Sequence, residues 1–371
     1  MTQLLTDRNL LSPAHLNDLA LANRMVMAPM TRTRATQDGV PTELMRDYYV
    51  QRASAGLIVT ECTQISDQGH GIIRAPGISN ADQIEGWKAI VHSVHEAGGH
   101  IFLLLWHCGR VSHPEIRADK SLPVAPSPVA AGGEIFTPSG RMPYPVPREL
   151  AMTEIAGIIE DFRRAAVNAK SAGFDGVELH GAFGYLPDQF LQDGSNHRTG
   201  AYGGSIANRA RFMIETIEAL IGVWGSNRVG VKLSPSNRHN GMFDSSARET
   251  FGYLISALEA LKVGYLHLME PDASDLKSGT VQVAHVAETF RPLISVPLIS
   301  NGGFNQRTAQ QALDDGRADF VSFGKLFLAN PDLPERMRRG APFNAPVSAT
   351  FYGEGPKGYT DYPVLSKASH A

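Results

Sequence analysis

Apolar residues fall along this chain in two alternating patterns. Short β-branched or aliphatic runs occur at "RMVMAP" (24–29), "LIVTEC" (57–62), "IFLLLW" (101–106), "GVELH" (176–180), "VGVKLS" (229–234), "YLHLME" (265–270), "VPLIS" (296–300) and "DFVSFG" (319–324). Their hydrophobicity is nearly continuous, as in parallel strands covered on both faces. Between them lie longer stretches with apolar residues near helical spacing. These are "TELMRDYYVQRASAG" from Thr42, "DQIEGWKAIVHSVHEAGG" ending at Gly98 and Gly99, "TEIAGIIEDFRRAAVNAKSAG" from Thr153 to Gly173, "NRARFMIETIEALIGVWG", "RETFGYLISALEALKVG" and "NQRTAQQALDDGRA". Glycines at helix ends directly before strands fit short helix-to-strand turns.

The alternation predicts an α/β fold, a (β/α)8 TIM barrel, with residues 1–371 as a single domain. A doubly wound sheet is the competing arrangement, but no G-x-G-x-x-G follows any strand. The longest connection follows the third strand and holds the Pro- and Gly-rich "SLPVAPSPVAAGGEIFTPSGRMPYPVP". It predicts an inserted loop or hairpin over the barrel mouth.

Composition narrows the partners. The 371 residues are 43% hydrophobic, enough for a large core. The 34 basic and 37 acidic residues are well mixed, with net charge -3, which argues against a nucleic-acid or membrane-surface partner. "MTQLLTDRNLLSPAHLNDLA" lacks the basic-then-apolar pattern of a signal peptide. Only two cysteines, Cys62 and Cys108, favour a reducing cytoplasm over a disulfide framework, and no C-x-x-C or H-E-x-x-H points to zinc.

In such barrels the chemistry sits at the C-terminal ends of the strands. There the chain offers Pro29 and Thr31; Cys62 and Thr63; Trp106 and His107; His180; Lys232 and Ser234; Glu270; Asn301, Gly302 and Gly303; and Gly324 and Lys325. "SNGGF" and "FGK" follow strands seven and eight, where glycines let backbone N–H groups approach an anion and Lys325 adds charge. The bland alternative is that these glycines only make tight turns. Lys232 ends an apolar strand and needs an anionic or electron-rich partner unless it snorkels to solvent. His180 and Tyr185 are candidates for polarising a substrate oxygen and moving a proton, although a lone strand-end histidine is more often structural.

The segments "MAPMTRTRA", "YYVQRASAGLIVTECTQIS", "LLWHCGRVSHP", "VELHGAFGYLPDQFLQDGSNHRTGAYGGSIANRARF" and "FYGEGPKGYTDYP" resemble the Old Yellow Enzyme family of FMN-dependent ene-reductases, over about residues 3–365. Within it the likeness is greatest to the bacterial branch of N-ethylmaleimide reductase and pentaerythritol tetranitrate reductase. The resemblance implies FMN at the barrel mouth and NADPH or NADH as hydride donor. It implies a small electron-poor alkene as substrate, in a monomer or small homo-oligomer. It places Pro29, Met30, Thr31, Cys62, Leu104 and Lys232 around the flavin, and Asn301, Gly302, Gly303, Gly324 and Lys325 at its phosphate. It makes Tyr185 the proton donor, His180 one of two substrate-oxygen donors, and Ile72, Trp106, Phe183 and Tyr352 pocket walls.

The departures are specific. Phe183 stands where the family has a second donor, asparagine or histidine, and Leu104 where a glutamine meets the pyrimidine edge. Lys232 and Lys325 replace arginines, and Ile72 falls near a position often held by tyrosine. These leave two other expectations open: an FMN-dependent isomerase or redox-neutral enzyme, and a catalytically weak flavin-binding barrel.

Overall fold

The computed structural model describes residues 8–365. The first residues of the leader reading, and positions 3–7 of the resemblance, lie outside the described residues. Eight parallel strands close into a barrel: β1 (Met25–Met27), β2 (Leu57–Val59), β3 (Ile101–Trp106), β4 (Gly176–Gly181), β5 (Val229–Leu233), β6 (Tyr265–Met269), β7 (Leu298–Asn301) and β8 (Phe320–Phe323). Each pairs with its neighbours in order, and β8 returns to β1. Every run read as a strand contains one, with ends that shift by up to three residues: Ile101–Trp106 is unchanged, the fourth gains Gly181 and the seventh gains Asn301. The second is interrupted, since Glu61 and Cys62 leave the ladder before Thr63–Gln64 rejoin β3.

Helices α1 (Glu43–Val50), α2 (Ala81–Glu96), α3 (Met152–Ser171), α4 (Ile206–Trp224), α5 (Ala247–Ala260), α6 (Val286–Phe290) and α7 (Gln306–Asp314) cover the barrel. Thr42, Asn80, Ser205 and Asn305 each cap a helix by accepting a backbone N–H, as such residues do. Helix α3 starts one residue ahead of Thr153, because Glu154 accepts the Ala151 N–H at 2.7 Å. Helix α6 has no obvious pattern in sequence. The N–H groups of Val286 and Ala287 in its first turn, which have no partner within the helix, are instead satisfied by the Glu270 carboxylate, at 2.9 and 2.6 Å. Glu270, a strand-end candidate, thus caps a helix.

The burial of both strand faces divides into two cores. Outward residues such as Met25, Ile58, Leu103, Val177 and Val231 pack under the helices. Inward residues Val26, Val59, Phe102, Leu104, Trp106, Tyr265, Ile299 and Phe320 fill the barrel. The hairpin Ala14–Leu16/Leu19–Leu21 joins that interior cluster. The long insertion is a hairpin, Glu134–Thr137 against Gly140–Pro143, as its composition predicts. Among the described residues, no helix is long and apolar enough to cross a membrane.

Candidate active site

Strand register assembles the site. His180 on β4 pairs with Lys232 on β5, which pairs with His267 on β6. Side chains in register point to one face, here the interior. The Lys232 Nζ and His267 Nε2 lie 3.1 Å apart, and the other ring nitrogen of His267 is 2.9 Å from Glu178 Oε2. The Tyr265 hydroxyl donates to the same carboxylate oxygen at 2.9 Å, and Ser322 Oγ is 2.7 Å from His267 Nε2. Sequence reasoning missed Glu178, Tyr265, His267 and Ser322. The available signal was polar residues spaced by two inside apolar strands, as in "VELH" and "YLH".

Burial strips water from all of these groups, and their charges set the outcome. Lys232 is brought down to about 8, mainly by burial, with Glu178 opposing. Burial pushes Glu178 up, but His267 and Lys232 hold it below the usual carboxylate value. His180 is pushed well below the ordinary histidine value by burial and by the charge of Lys232, so it is neutral at physiological pH. Tyr185 is raised well above the ordinary phenol value by burial, and therefore keeps its proton.

The loop after β4 carries Phe183 and Tyr185. The Tyr185 ring stands edge-on to His180 at 4.7 Å between centroids and to Trp106 at 5.2 Å. Its backbone is held by the short helix Leu186–Leu191, with Asp188 accepting the Gly184 N–H at 2.8 Å and Gln189 donating to the Gly184 carbonyl at 2.7 Å. Burial raises the Asp188 carboxyl to about 7. Phe183 takes a left-handed φ of 56°. Its N–H donates to Ser234 Oγ and its carbonyl accepts from Asn240 Nδ2, both at 2.8 Å. Its ring lies edge-on to His180 at 6.0 Å and to His239 at 5.9 Å. The buried Nδ1 of His180 has no protein partner.

The remaining candidates group at two further places. Asn301 is the last paired residue of β7, Gly302 and Gly303 follow it, and Gly324 and Lys325 follow β8. Gly302 has a φ of 131°, and a Cβ there would lie 2.5 Å from the Glu270 carbonyl oxygen. Gly324 sits against the Met30 sulfur, which a Cβ would meet at 3.1 Å. Lys325 is exposed; Pro29, Met30 and Thr31 are half-buried. The Cys62 thiol is hydrogen-bonded to Thr31 and pushed up to about 12 by burial, so it is inert. Leu104 is fully buried in the barrel, and its N–H donates to Thr60 Oγ1. Ile72 and Tyr352 line a cavity of about 740 Å³ beside Tyr144 and the hairpin residues Ile135 and Phe136.

These features suit a flat, phosphorylated, anionic ring. A glycine turn leaves N–H groups for phosphate. Among the described residues no carboxylate pairs directly with Lys232; Glu178 reaches it through His267. An imidazole nitrogen waits unpartnered at the same layer.

The comparisons with known proteins agree. Residues 9–344 match the model of the NADH:flavin oxidoreductase / NADH oxidase family. The chain is 40% identical to 12-oxophytodienoate reductase 7 of Oryza sativa subsp. japonica, over 96% of this chain and 95% of that protein. It superposes on morphinone reductase with a TM-score of 0.93 at 44% identity, covering 98% of each chain. An Old Yellow Enzyme homologue from Zymomonas mobilis gives 0.93 at 43% identity, covering 96% of this chain and all of that one (100%). The chain belongs to the NADH:flavin oxidoreductase / NADH oxidase family, the FMN-containing Old Yellow Enzymes.

Proposed function

We propose that His180 and Tyr185 are the oxygen-polarising and proton-donating residues of an FMN-dependent ene-reductase acting on α,β-unsaturated carbonyl or nitro compounds. The observation that carries this is the pairing of an unpartnered, neutral His180 with a phenol held protonated 4.7 Å away. The chain belongs to a family that takes hydride from NADPH or NADH and reduces activated alkenes. Relatives named for 12-oxophytodienoate and for morphinone carry an oxo group in the name of their substrate. Such an oxygen suits a donor at His180.

Bound FMN supplies hydride transfer between the nicotinamide and the alkene. The chain's residues do the rest. Asn301, Gly302, Gly303, Gly324 and Lys325 would hold the phosphate. Pro29, Met30, Thr31, Cys62, Leu104 and Lys232 would border the ring, and Ile72, Trp106, Phe183 and Tyr352 would wall the substrate. Neutral His180 donates a hydrogen bond to the substrate oxygen and stabilises the charge that gathers there. Tyr185 gives its proton to the carbon next to that oxygen. Exclusion of water by Trp106 and Phe183 strengthens both contacts. The eight strands form one continuous barrel, which supports reading residues 1–371 as a single FMN-binding domain.

Tyr185→Phe tests the assignment. General-acid groups contribute about 10²–10⁴-fold. Reoxidation of the reduced protein by 2-cyclohexenone should slow by roughly 10²-fold or more, while bleaching by NADPH keeps its rate. An unchanged reoxidation rate rules out Tyr185 as the donor.

A further inference from the structure

The barrel interior holds a charge relay that the steps above leave unused. Glu178 and Tyr265 lie one layer below the mouth, with His267 and Lys232 above them. Glu178 bonds His267 at 2.9 Å, and His267 meets Lys232 at 3.1 Å. All are buried; Lys232 keeps only 2% of its surface. The groups facing Lys232 are His180 and Glu178 on β4, His267 and Tyr265 on β6, Ser322 on β8, and Cys62 beyond β2. Of these only Glu178 is an anion at neutral pH, and its charge reaches Lys232 through the imidazole.

We propose that the Glu178–His267–Lys232 relay is a proton acceptor beneath the flavin that takes up one proton from solvent when the flavin is reduced. The inference rests on the ene-reductase reading of the same site. The balance is simple. Hydride from the nicotinamide brings two electrons and one hydrogen to the ring, which becomes an anion. Above about pH 8, where Lys232 starts neutral, its amine would then bind one proton from water, and the ammonium would neutralise that anion. A guanidinium at this position cannot take this part, since arginine does not deprotonate in proteins. The lysine therefore changes the chemistry and not only the geometry.

Sign and range follow from the neighbours. Lys232 sits near 8 before a negative charge arrives above it. An anion raises the affinity of an amine for its proton. Between the two values the amine is neutral before reduction and charged after it. His267 fixes the Nζ position, and Glu178 keeps Lys232 from falling further. His267 and Glu178 are positioning residues; Lys232 is the group facing the ring.

The test is the flavin midpoint potential of the FMN-loaded protein, measured from pH 6 to 10. Its slope gives the protons bound per two electrons. The wild type should pass from one proton to two as pH rises through about 8. Lys232→Arg should stay at one throughout. Glu178→Gln removes the charge that supports Lys232, so the rise should begin at lower pH. A purely structural relay would shift the potential without changing the proton number. A constant number across the range in the wild type overturns the proposal, even if the variants fail to fold. Identical profiles in the wild type and Lys232→Arg also overturn it. A protein that binds no added FMN overturns the ene-reductase reading as well.

Discussion

At the scale of single residues, Phe183 is the departure with the clearest physical cost. A bulky side chain at φ 56° occupies a region that asparagine tolerates better, a strain of about 1–3 kcal/mol. The strain is held by the Ser234 and Asn240 bonds at either end of the peptide and by ring contacts to His180 and His239. Phe183→Asn should relax the backbone and add a donor beside His180. With a hydrogen bond worth about 1 kcal/mol, turnover of simple cyclic enones should rise roughly fivefold. Binding of phenol, followed by its long-wavelength band with the flavin, should strengthen in parallel. An unchanged or lower rate would mean that the pocket is shaped around the ring.

At the scale of elements, β4 and the turn into Leu186–Leu191 carry His180 and Tyr185, the proposed pair, and the anchor of that turn titrates. Asp188 rises to about 7 when folded, from an ordinary value of 3.8. Its folded form holds a proton that the unfolded chain has already lost. This contribution is therefore full below about pH 4 and disappears as pH rises through 7. Glu61, pushed up to about 7 by burial, acts in the same direction. Buried, neutral His107 and His180 act the other way below pH 6.5, so the effect shows as a difference: Asp188→Asn should gain melting temperature over the wild type as pH rises from 5 to 8. A variant with the wild-type slope would exclude Asp188 as a source. Strands were legible because continuous apolar runs leave few other solutions. The anchor was not, because a carboxyl accepting the Gly184 N–H and the Gln192 amide leaves no periodic trace.

At the scale of the molecule, barrel closure converts strand order into a site, and the C-terminal segment lines the cavity beside Ile72 and Tyr144. Arg32 donates to the Phe351 and Gly358 carbonyls, Arg34 to those of Phe351 and Lys357, and Arg52 to those of Leu328 and Tyr359. These bonds set Tyr352, still 65% exposed, at the rim of the cavity. The segments "TRTRA" and "FYGEGPKGYTDYP" were read as family marks, but donation to main-chain carbonyls has no sequence signature. The same limit hid the relay, whose members lie on three strands far apart in the chain. The glycines after β7 and β8 were readable because positive φ at Gly302 and Gly303 and close approach at Gly302 and Gly324 demand them.

The most direct test of the account is anaerobic mixing of the FMN-loaded protein with NADPH, followed by 2-cyclohexenone, at the visible flavin band. Bleaching by NADPH and recovery of the band on adding the enone, without oxygen, is the predicted result. A band that NADPH leaves unbleached, or a bleached protein that the enone fails to reoxidise, would contradict it.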